Sequence, residues 1–492
     1  MNRFGWRSGV ALAALLVAAC STGPDYRRPE VPLPARWQAP QTDTAPGLVD
    51  GAWWAGFGDP MLERLVDEAI ESNKNLRLAA QRVQQYEARL RGSEAARYPS
   101  VGYGAAPSRE RRSEERPNGL RPGRGPTLSN FELGGTVSWE LDLWGRVRRS
   151  NEAALADLLG TQEARRGVML TVVADVVSGY LQLLELDRRL VLARDKLALR
   201  RQALALVDER RKGGSSTRLE VERLRALAEE QAAELPAIER EIASAELALC
   251  ALLGRAPGPI ERGALDVLTL PGMPDGVPAD VLTRRPDIAA AEQALVSANA
   301  RIGVARSAYF PSLSLSAAIG LASDDLRWLF AETARTGSLA AALAGTLFDG
   351  GRTEAEVREA QALRAQAETT FLEVVQTALL EVEDALSARV RADQRSVAID
   401  RRVKALEQLQ ALTDARVTGG QSGRLDLYAA ELDLADARAQ QAEGRRDRML
   451  ALVAIYKAMG GGWMSEQESH RGVGPATGQA HVVATPAAES VR

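Results

Sequence analysis

Two cysteines and two histidines in a chain of 492 residues leave little from which to build a metal centre or a nucleophilic triad. Both histidines, His470 and His481, fall after Gly462, in a segment whose composition reads as disordered. The sequence has no Gly-x-Ser-x-Gly elbow, no phosphate-binding glycine loop between a strand and a helix, and no metal-ligand cluster. A formal net charge of -3 argues against a dedicated nucleic-acid binder. Past the N-terminal segment, no apolar stretch is read as approaching the roughly 20 residues of a membrane helix. Any crossing of a bilayer must then be made by strands. The expectation is a chain with no enzymatic activity, no cofactor and no metal.

The N-terminus reads as an address. Arg3 and Arg7 precede the apolar run from Gly9 to Ala19, which ends in Leu16-Val17-Ala18-Ala19-Cys20. Small residues before a cysteine look like a bacterial lipoprotein signal, with residues 1–19 removed and Cys20 acylated. Ser21 stands where an aspartate would resemble an inner-membrane retention signal. Each buried methylene of an acyl chain contributes about 0.8 kcal/mol, so two or three chains hold firmly. Cys250, the other cysteine, sits in an apolar helical stretch and reads as a small core residue.

Length alone suggests about three domains, but an internal duplication is the more useful guide. Gly145-Arg146 recurs as Gly351-Arg352, Gly213-Gly214 as Gly419-Gly420, Arg218-Leu219 as Arg424-Leu425, and Leu253-Gly254 as Met459-Gly460, all displaced by 206 residues. Tyr98-Pro99-Ser100 matches Phe310-Pro311-Ser312 at a slightly different spacing. Four matches in one register point to two similar halves. The expected organisation is an extended N-terminal segment over 20–60, a first repeat over 61–259, a linker over 260–278, a second repeat over 279–463 and a disordered tail over 464–492.

Each half reads helix, strand, loop, strand, long helix, turn, helix. From Arg146 to Lys212 there is no proline, and Met169, Val173, Val176, Tyr180, Leu183, Leu190, Leu197 and Leu204 follow coiled-coil spacing. A helix filling such a segment would reach on the order of 100 Å. The returning helices start after glycine-containing turns, and Pro236 is expected to kink the first of them. Strands show in the alternation of Phe131, Leu133, Val137, Trp139 and Leu141 with Glu132, Thr136, Ser138, Glu140 and Asp142. Leu313, Leu315, Ala317 and Ile319 alternate with serines in the second half, and Leu339, Ala341, Leu343 and Leu347 do so less cleanly. The weakest strand lies near Val101, Tyr103 and Ala105.

Such alternation fits either a soluble sheet with one wet face or a membrane barrel with lipid outside and water inside. Four strands are too few to close in a membrane, where an open edge cannot be left unpaired. Closure would need two, three or four chains, giving eight, twelve or sixteen strands, and the pattern does not choose among them.

Several segments resemble the outer-membrane factors of tripartite efflux pumps, in the lipoprotein branch that works with resistance-nodulation-division transporters. They are Trp53-Trp54 with Phe57, Asp59-Pro60 and Leu62; Trp139 through Arg146; Arg285-Pro286-Asp287-Ile288 with Ala291-Glu292; Tyr309 through Leu315; Phe348 through Arg352; and Lys457 through Trp463. The resemblance implies a mixed, mostly α-helical chain forming a homotrimer. Its twelve-stranded transmembrane β-barrel would continue into a long periplasmic α-helical barrel in the bacterial outer membrane. A periplasmic adaptor and an inner-membrane transporter would dock at the hairpin tips, around the turns at Gly213, Gly214, Gly419 and Gly420. The implied function is a passive gated passage for exported small molecules. An outer channel for type I protein secretion is the alternative.

In that family acidic side chains ring the narrow periplasmic aperture. Asp426 matches the first acid of the pattern, while the position one turn later is Ala429, which weakens any double ring. Glu220, the repeat partner of Asp426, is the second candidate for the aperture, yet Thr217 and Glu220 also have capping-box spacing. Gly423, three residues before Asp426, offers no side chain for a reciprocal cap. Glu132, Thr136, Ser138, Glu140 and Asp142 would face the barrel lumen and favour cations.

Overall fold

The computed structural model describes residues 22–39, 44–45, 52–111, 113, 127–274 and 278–461. The signal over 1–19, Cys20, Gly462, Trp463 and the tail with both histidines lie outside the described residues. The elements in chain order are β1 (Thr44–Ala45), α1 (Pro60–Ser72), α2 (Lys74–Ala95), β2 (Ser100–Arg111), β3 (Thr127–Leu141), α3 (Arg146–Lys212) and α4 (Arg218–Leu252). Then follow β4 (Met273–Pro274), α5 (Pro278–Arg284), α6 (Pro286–Ser307), β5 (Ser312–Ser323), β6 (Arg335–Ala344), α7 (Arg352–Thr418) and α8 (Arg424–Ala458). Short 3-10 turns cover Trp53–Phe57, Leu265–Val267, Leu326–Trp328 and Glu332–Ala334.

Element lengths repeat. Helices α2 and α6 have 22 residues each, α3 and α7 have 67, and α4 and α8 have 35. Helix α4 runs through Pro236 as one element, so its extent matches α8 despite the proline. The chain divides into two compact units rather than the three domains suggested by length.

The first unit comprises the described residues up to Pro34, Asn75–Val168 and Arg285–Leu379. It holds one antiparallel sheet in the order β2-β3-β5-β6. Hence, among the described residues, β3 and β5, from different halves of the sequence, are central, and β2 and β6 are edges. Helix α6 begins with Pro286, whose fixed φ and missing N–H suit the first helical turn. Small residues let α6 approach the start of α3: a Cβ on Gly160 would lie 3.3 Å from the Gln293 side chain, and Ala153, Ala156, Ala298 and Ala300 are buried.

Three expectations about the strands change here. Strand β3 starts earlier than Phe131 and ends at Leu141, so Asp142 falls outside it. The Asp142 carboxylate instead accepts hydrogen bonds from the Val147 and Arg148 N–H groups at 3.0 and 2.9 Å, closing the first turn of α3. Its place in the alternation was the accident of an acid following a strand. Leu347 likewise lies beyond β6.

The second unit comprises Ala35–Lys74, Met169–Arg284 and the described residues from Leu380 onward. Its core gathers Val173, Val176, Tyr180 and Leu183 of the expected seam with Leu62, Ile238, Leu249, Leu452 and Ile455, all buried. Trp53 stacks on Tyr456 with ring centroids 4.8 Å apart. Contrary to the sequence reading, one 18-residue window within Arg146–Lys212 is long and apolar enough to cross a membrane by composition. More than half of that window is buried inside the protein, as a core helix requires.

Asp59 caps α1 from the preceding residue, accepting from the Met61 N–H at 2.9 Å, and Pro60 occupies the first helical position. Its other oxygen takes the Tyr180 hydroxyl at 2.5 Å, and that hydroxyl accepts the Gly263 N–H at 2.9 Å. One fully buried phenol thus joins three distant chain segments. Replacing Tyr180 by Phe leaves a buried carboxylate oxygen and a backbone N–H without partners. We expect a loss of about 1–3 kcal/mol, read as a lower midpoint for thermal loss of helical circular dichroism.

Candidate functional site

Two places carry functional candidates, and each belongs to one unit. The first is the sheet. Residues directly opposite across antiparallel strands share a face, so the register separates two sets. Val101 faces Val137, Trp139 faces Leu315, Leu141 faces Leu313, Leu313 faces Leu343 and Ala317 faces Leu339. On the other face, Ser100 meets Ser138, Glu140 meets Ser314, and Ser316 meets Ala340. The apolar face is open in the single chain: Tyr103 is 96%, Leu339 84% and Ile319 76% exposed.

Glu132, Thr136, Ser138 and Glu140 therefore line up on the polar face of β3, and Asp142 does not join them. Ser138 and Ser100 share a hydrogen bond of 2.7 Å, and Glu132 accepts from the Asn130 amide at 2.6 Å. Glu140 is gripped by both ends of the Arg146 guanidinium at 2.9 and 2.7 Å. That pairing neutralises one of the candidate acids and was not read from the sequence, though the two lie only six residues apart.

The second place is the pair of helix-to-helix turns. Helix α3 ends with the Ser215 N–H donating to the Arg210 carbonyl at 2.8 Å and the Gly214 N–H to Arg211 at 3.0 Å. Helix α7 ends identically, with Gln421 donating to Arg416 at 2.8 Å and Gly420 to Val417 at 3.1 Å. These are Schellman closures, which need a left-handed residue just past the helix. Gly214 and Gly420 supply it, with φ of 77° and 73°. Gly213 and Gly419 are the less constrained members of each pair.

Glu220 closes a reciprocal capping box: its carboxylate accepts the Thr217 N–H at 2.9 Å while Thr217 Oγ1 accepts the Glu220 N–H at 3.3 Å. Asp426 has no side chain at Gly423 to reciprocate, yet it reaches back in the same way. Its Oδ2 accepts the Gly423 N–H at 3.0 Å and the Ser422 hydroxyl at 2.9 Å. The difference expected between the two acids therefore narrows, since both serve as caps. Ser216 is the largest influence holding Glu220 below its ordinary carboxylate range. For Asp426 the Ser422 hydroxyl acts first, then the Gly423 N–H, with the Arg416 and Arg210 charges adding to the depression. Both carboxylates stand in solvent at a turn. Arg210, Arg416 and Ser422 are the partners that sequence reasoning missed; for the two arginines, the basic residues in the last turn of each long helix were the visible signal.

A family model described as outer membrane efflux protein matches residues 65–255 and 277–461. The chain belongs to the outer membrane efflux protein family. The Pseudomonas putida solvent efflux pump outer membrane protein SrpC is 33% identical over 467 residues, covering 92% of this chain and 98% of the relative. The Pseudomonas aeruginosa outer membrane protein OprJ is 33% identical over 464 residues, covering 92% and 95%. Among solved structures, the open state of the Neisseria gonorrhoeae MtrE outer membrane channel superposes with a TM-score of 0.81 at 30% identity, covering 90% of this chain and 99% of that one. These findings favour efflux over the protein-secretion alternative.

The turn geometry makes a paired prediction. Gly420→Ala forces a Cβ into a left-handed conformation and should cost about 1–2 kcal/mol. Gly419→Ala, where a Cβ would meet nothing nearer than 3.4 Å, should be almost silent. Chemical denaturation of the two variants side by side measures the difference.

Proposed function

We propose that three copies of this outer-membrane efflux channel subunit close a twelve-stranded barrel, and that their long helices line a periplasmic tunnel to a gate at the hairpin turns. The observation that carries this reading is the four-stranded sheet, with one apolar face and two edges paired on one side only among the described residues. In hydrocarbon each unpaired backbone group costs several kcal/mol, so such a sheet must be completed by neighbouring copies. The apolar set then meets lipid, and Glu132, Thr136, Ser138 and Glu140 meet water. The repeated element bounds support a tandem duplication: Arg146, Lys212 and Arg218 of the first half correspond to Arg352, Thr418 and Arg424 of the second.

The subunit supplies a passage and performs no chemistry; energy comes from an inner-membrane resistance-nodulation-division transporter joined through a periplasmic adaptor. Both dock at the hairpin tips around Gly213, Gly214, Gly419 and Gly420. Residues 1–19 are removed and Cys20 is acylated, holding the N-terminal segment in the outer membrane. The repeats occupy 61–259 and 279–463, joined by a linker over 260–278. At the tips, Asp426 lines the aperture and Glu220 serves mainly as a cap. Three Asp426 carboxylates near the axis would attract cations and repel one another. Exported substrates are chosen by the transporter.

Purified mature protein should be trimeric in detergent and conduct ions in planar lipid; a non-conducting monomer would sink the reading. Hydrogen bonds to the ionised form place the Asp426 pKa below the unfolded value of about 3.9. Its cap is therefore intact above that value and lost only as the pH falls through the depressed one. Conductance and cation preference should stay flat between pH 7 and pH 5, and Asp426→Ala should lower cation preference across that window. An unchanged reversal potential in the variant would remove Asp426 from the aperture.

A further inference from the structure

The apolar face of the sheet carries charge at one end only. The register between β2 and β3 runs unbroken from Ser100 opposite Ser138 to Arg111 opposite Thr127. Every second residue of β2 from Val101 to Arg111 therefore lies on the face of Val137. The matching sets are the odd-numbered residues from Thr127 to Leu141 on β3, Leu313 to Ser323 on β5 and Arg335 to Leu343 on β6. Only Arg109, Arg111 and Arg335 are charged among them. The strand carboxylates Glu110, Glu132 and Glu140 belong to the opposite face.

The arginines also share an end. Strand β2 begins just after α2 and β3 stops just before α3, so Val101 and Leu141 mark the helix-proximal end and the arginines the far one. Arg109 stands eight residues beyond Val101 (109 − 101), and Arg335 eight before Leu343 (343 − 335). Eight residues make about 27 Å of strand. At a tilt of about 40° that is roughly 20 Å of height, most of an apolar band about 25 Å tall. The arginines thus fall at its rim, where a charge on the lipid face costs least.

Neither Arg109 nor Arg111 has a carboxylate partner among the described residues. Arg335 lies 3.5 Å from Glu332 with both side chains largely exposed, and so wet a pair holds little. Opposite Arg109 and Arg111 on the same face are the hydroxyl residues Ser129 and Thr127. Strands β2 and β6 are the two edges among the described residues, and they run in opposite directions. In the closure proposed above, β2 of one copy adjoins β6 of the next. Arg109 and Arg111 then share a junction with the neighbouring Arg335 on the outer wall of the barrel. Guanidinium forks match phosphate oxygens in pairs, and the exposed Tyr103 and Leu339 beside them offer apolar surface to acyl chains. With the helices in the periplasm, this end lies in the outer leaflet, which bacteria build from phosphorylated glycolipid.

We propose that Arg109 and Arg111 of one copy and Arg335 of the next form a site for the phosphates of an outer-leaflet glycolipid at each junction between copies. The inference rests on the reading of the sheet as one part of a closed barrel. It gives three like charges on a lipid-facing wall their counter-ion and ties neighbouring copies through a shared lipid.

Native mass spectrometry of the purified full-length protein, titrated with lipid A carrying two phosphates, tests the site. The trimer should take up to three copies, bound about tenfold or more tighter than dephosphorylated lipid A or phosphatidylglycerol. Millimolar inorganic phosphate should not displace them. Arg109→Gln with Arg111→Gln, and separately Arg335→Gln, should each weaken lipid A binding several-fold, while the corresponding Lys variants keep most of it. Conductance in planar lipid should be unchanged in every variant, because these side chains face away from the lumen. A conducting trimer without preference for the phosphorylated lipid, or one that releases it to free phosphate, would overturn the site and leave the channel reading intact. So would either Gln variant binding as tightly as the wild type. A non-conducting monomer would remove the closure, and the site with it.

Discussion

The backbone hydrogen bonds of two strands, β2 and β6, govern the rest of this molecule. Among the described residues each is paired along one side only, and the sheet they bound exposes apolar side chains in a continuous face. In water such an edge invites uncontrolled pairing; in hydrocarbon it cannot persist at all. This is the constraint on which the proposed closure by further copies rests. In the proposed closure, a wall built from several chains around water would draw equivalent rods from each, and α3 and α7 are of equal length.

The hairpin turns illustrate how one residue can serve two ends. Glu220 and Asp426 occupy the first turn of α4 and α8, where a carboxylate is favoured by the helix N-terminus and by the free backbone N–H groups there. Capping keeps both ionised and fixes their position. A negative charge held at a turn by its own backbone is fixed in position. Capping alone also explains it, so geometry within one chain gives Asp426 a reason to be acidic before any aperture is invoked. The presence of Arg210 and Arg416 nearby moderates the charge that a ring of such residues would present.

Much of the fold was legible because it is periodic. The 206-residue displacement, the absence of proline from Arg146 to Lys212 and the glycines at the turns mark the two long hairpins, and α3 and α4 begin where those signals place them. Alternation marked β3 and β5 well. It misassigned Asp142, since period-2 spacing cannot tell the last residue of a strand from the first cap of a helix. Hydropathy read along the chain overlooked the apolar window of α3, whose burial is set by segments far away in sequence. At the turns, the spacing of Thr217 and Glu220 declared its box, whereas the reach of Asp426 to a glycine backbone left no side-chain signature.

By itself the sequence determined the local elements and the family to which the chain belongs, because these depend on residues near one another or on motifs in fixed order. Tertiary structure decided which strands are central, which faces are apolar together, and which acids are already paired. It also decided that Arg149, Asn299 and Gly303 meet the segment after Cys20. Those contacts join residues more than a hundred positions apart through single hydrogen bonds and a backbone crossing, and no periodicity records such a meeting.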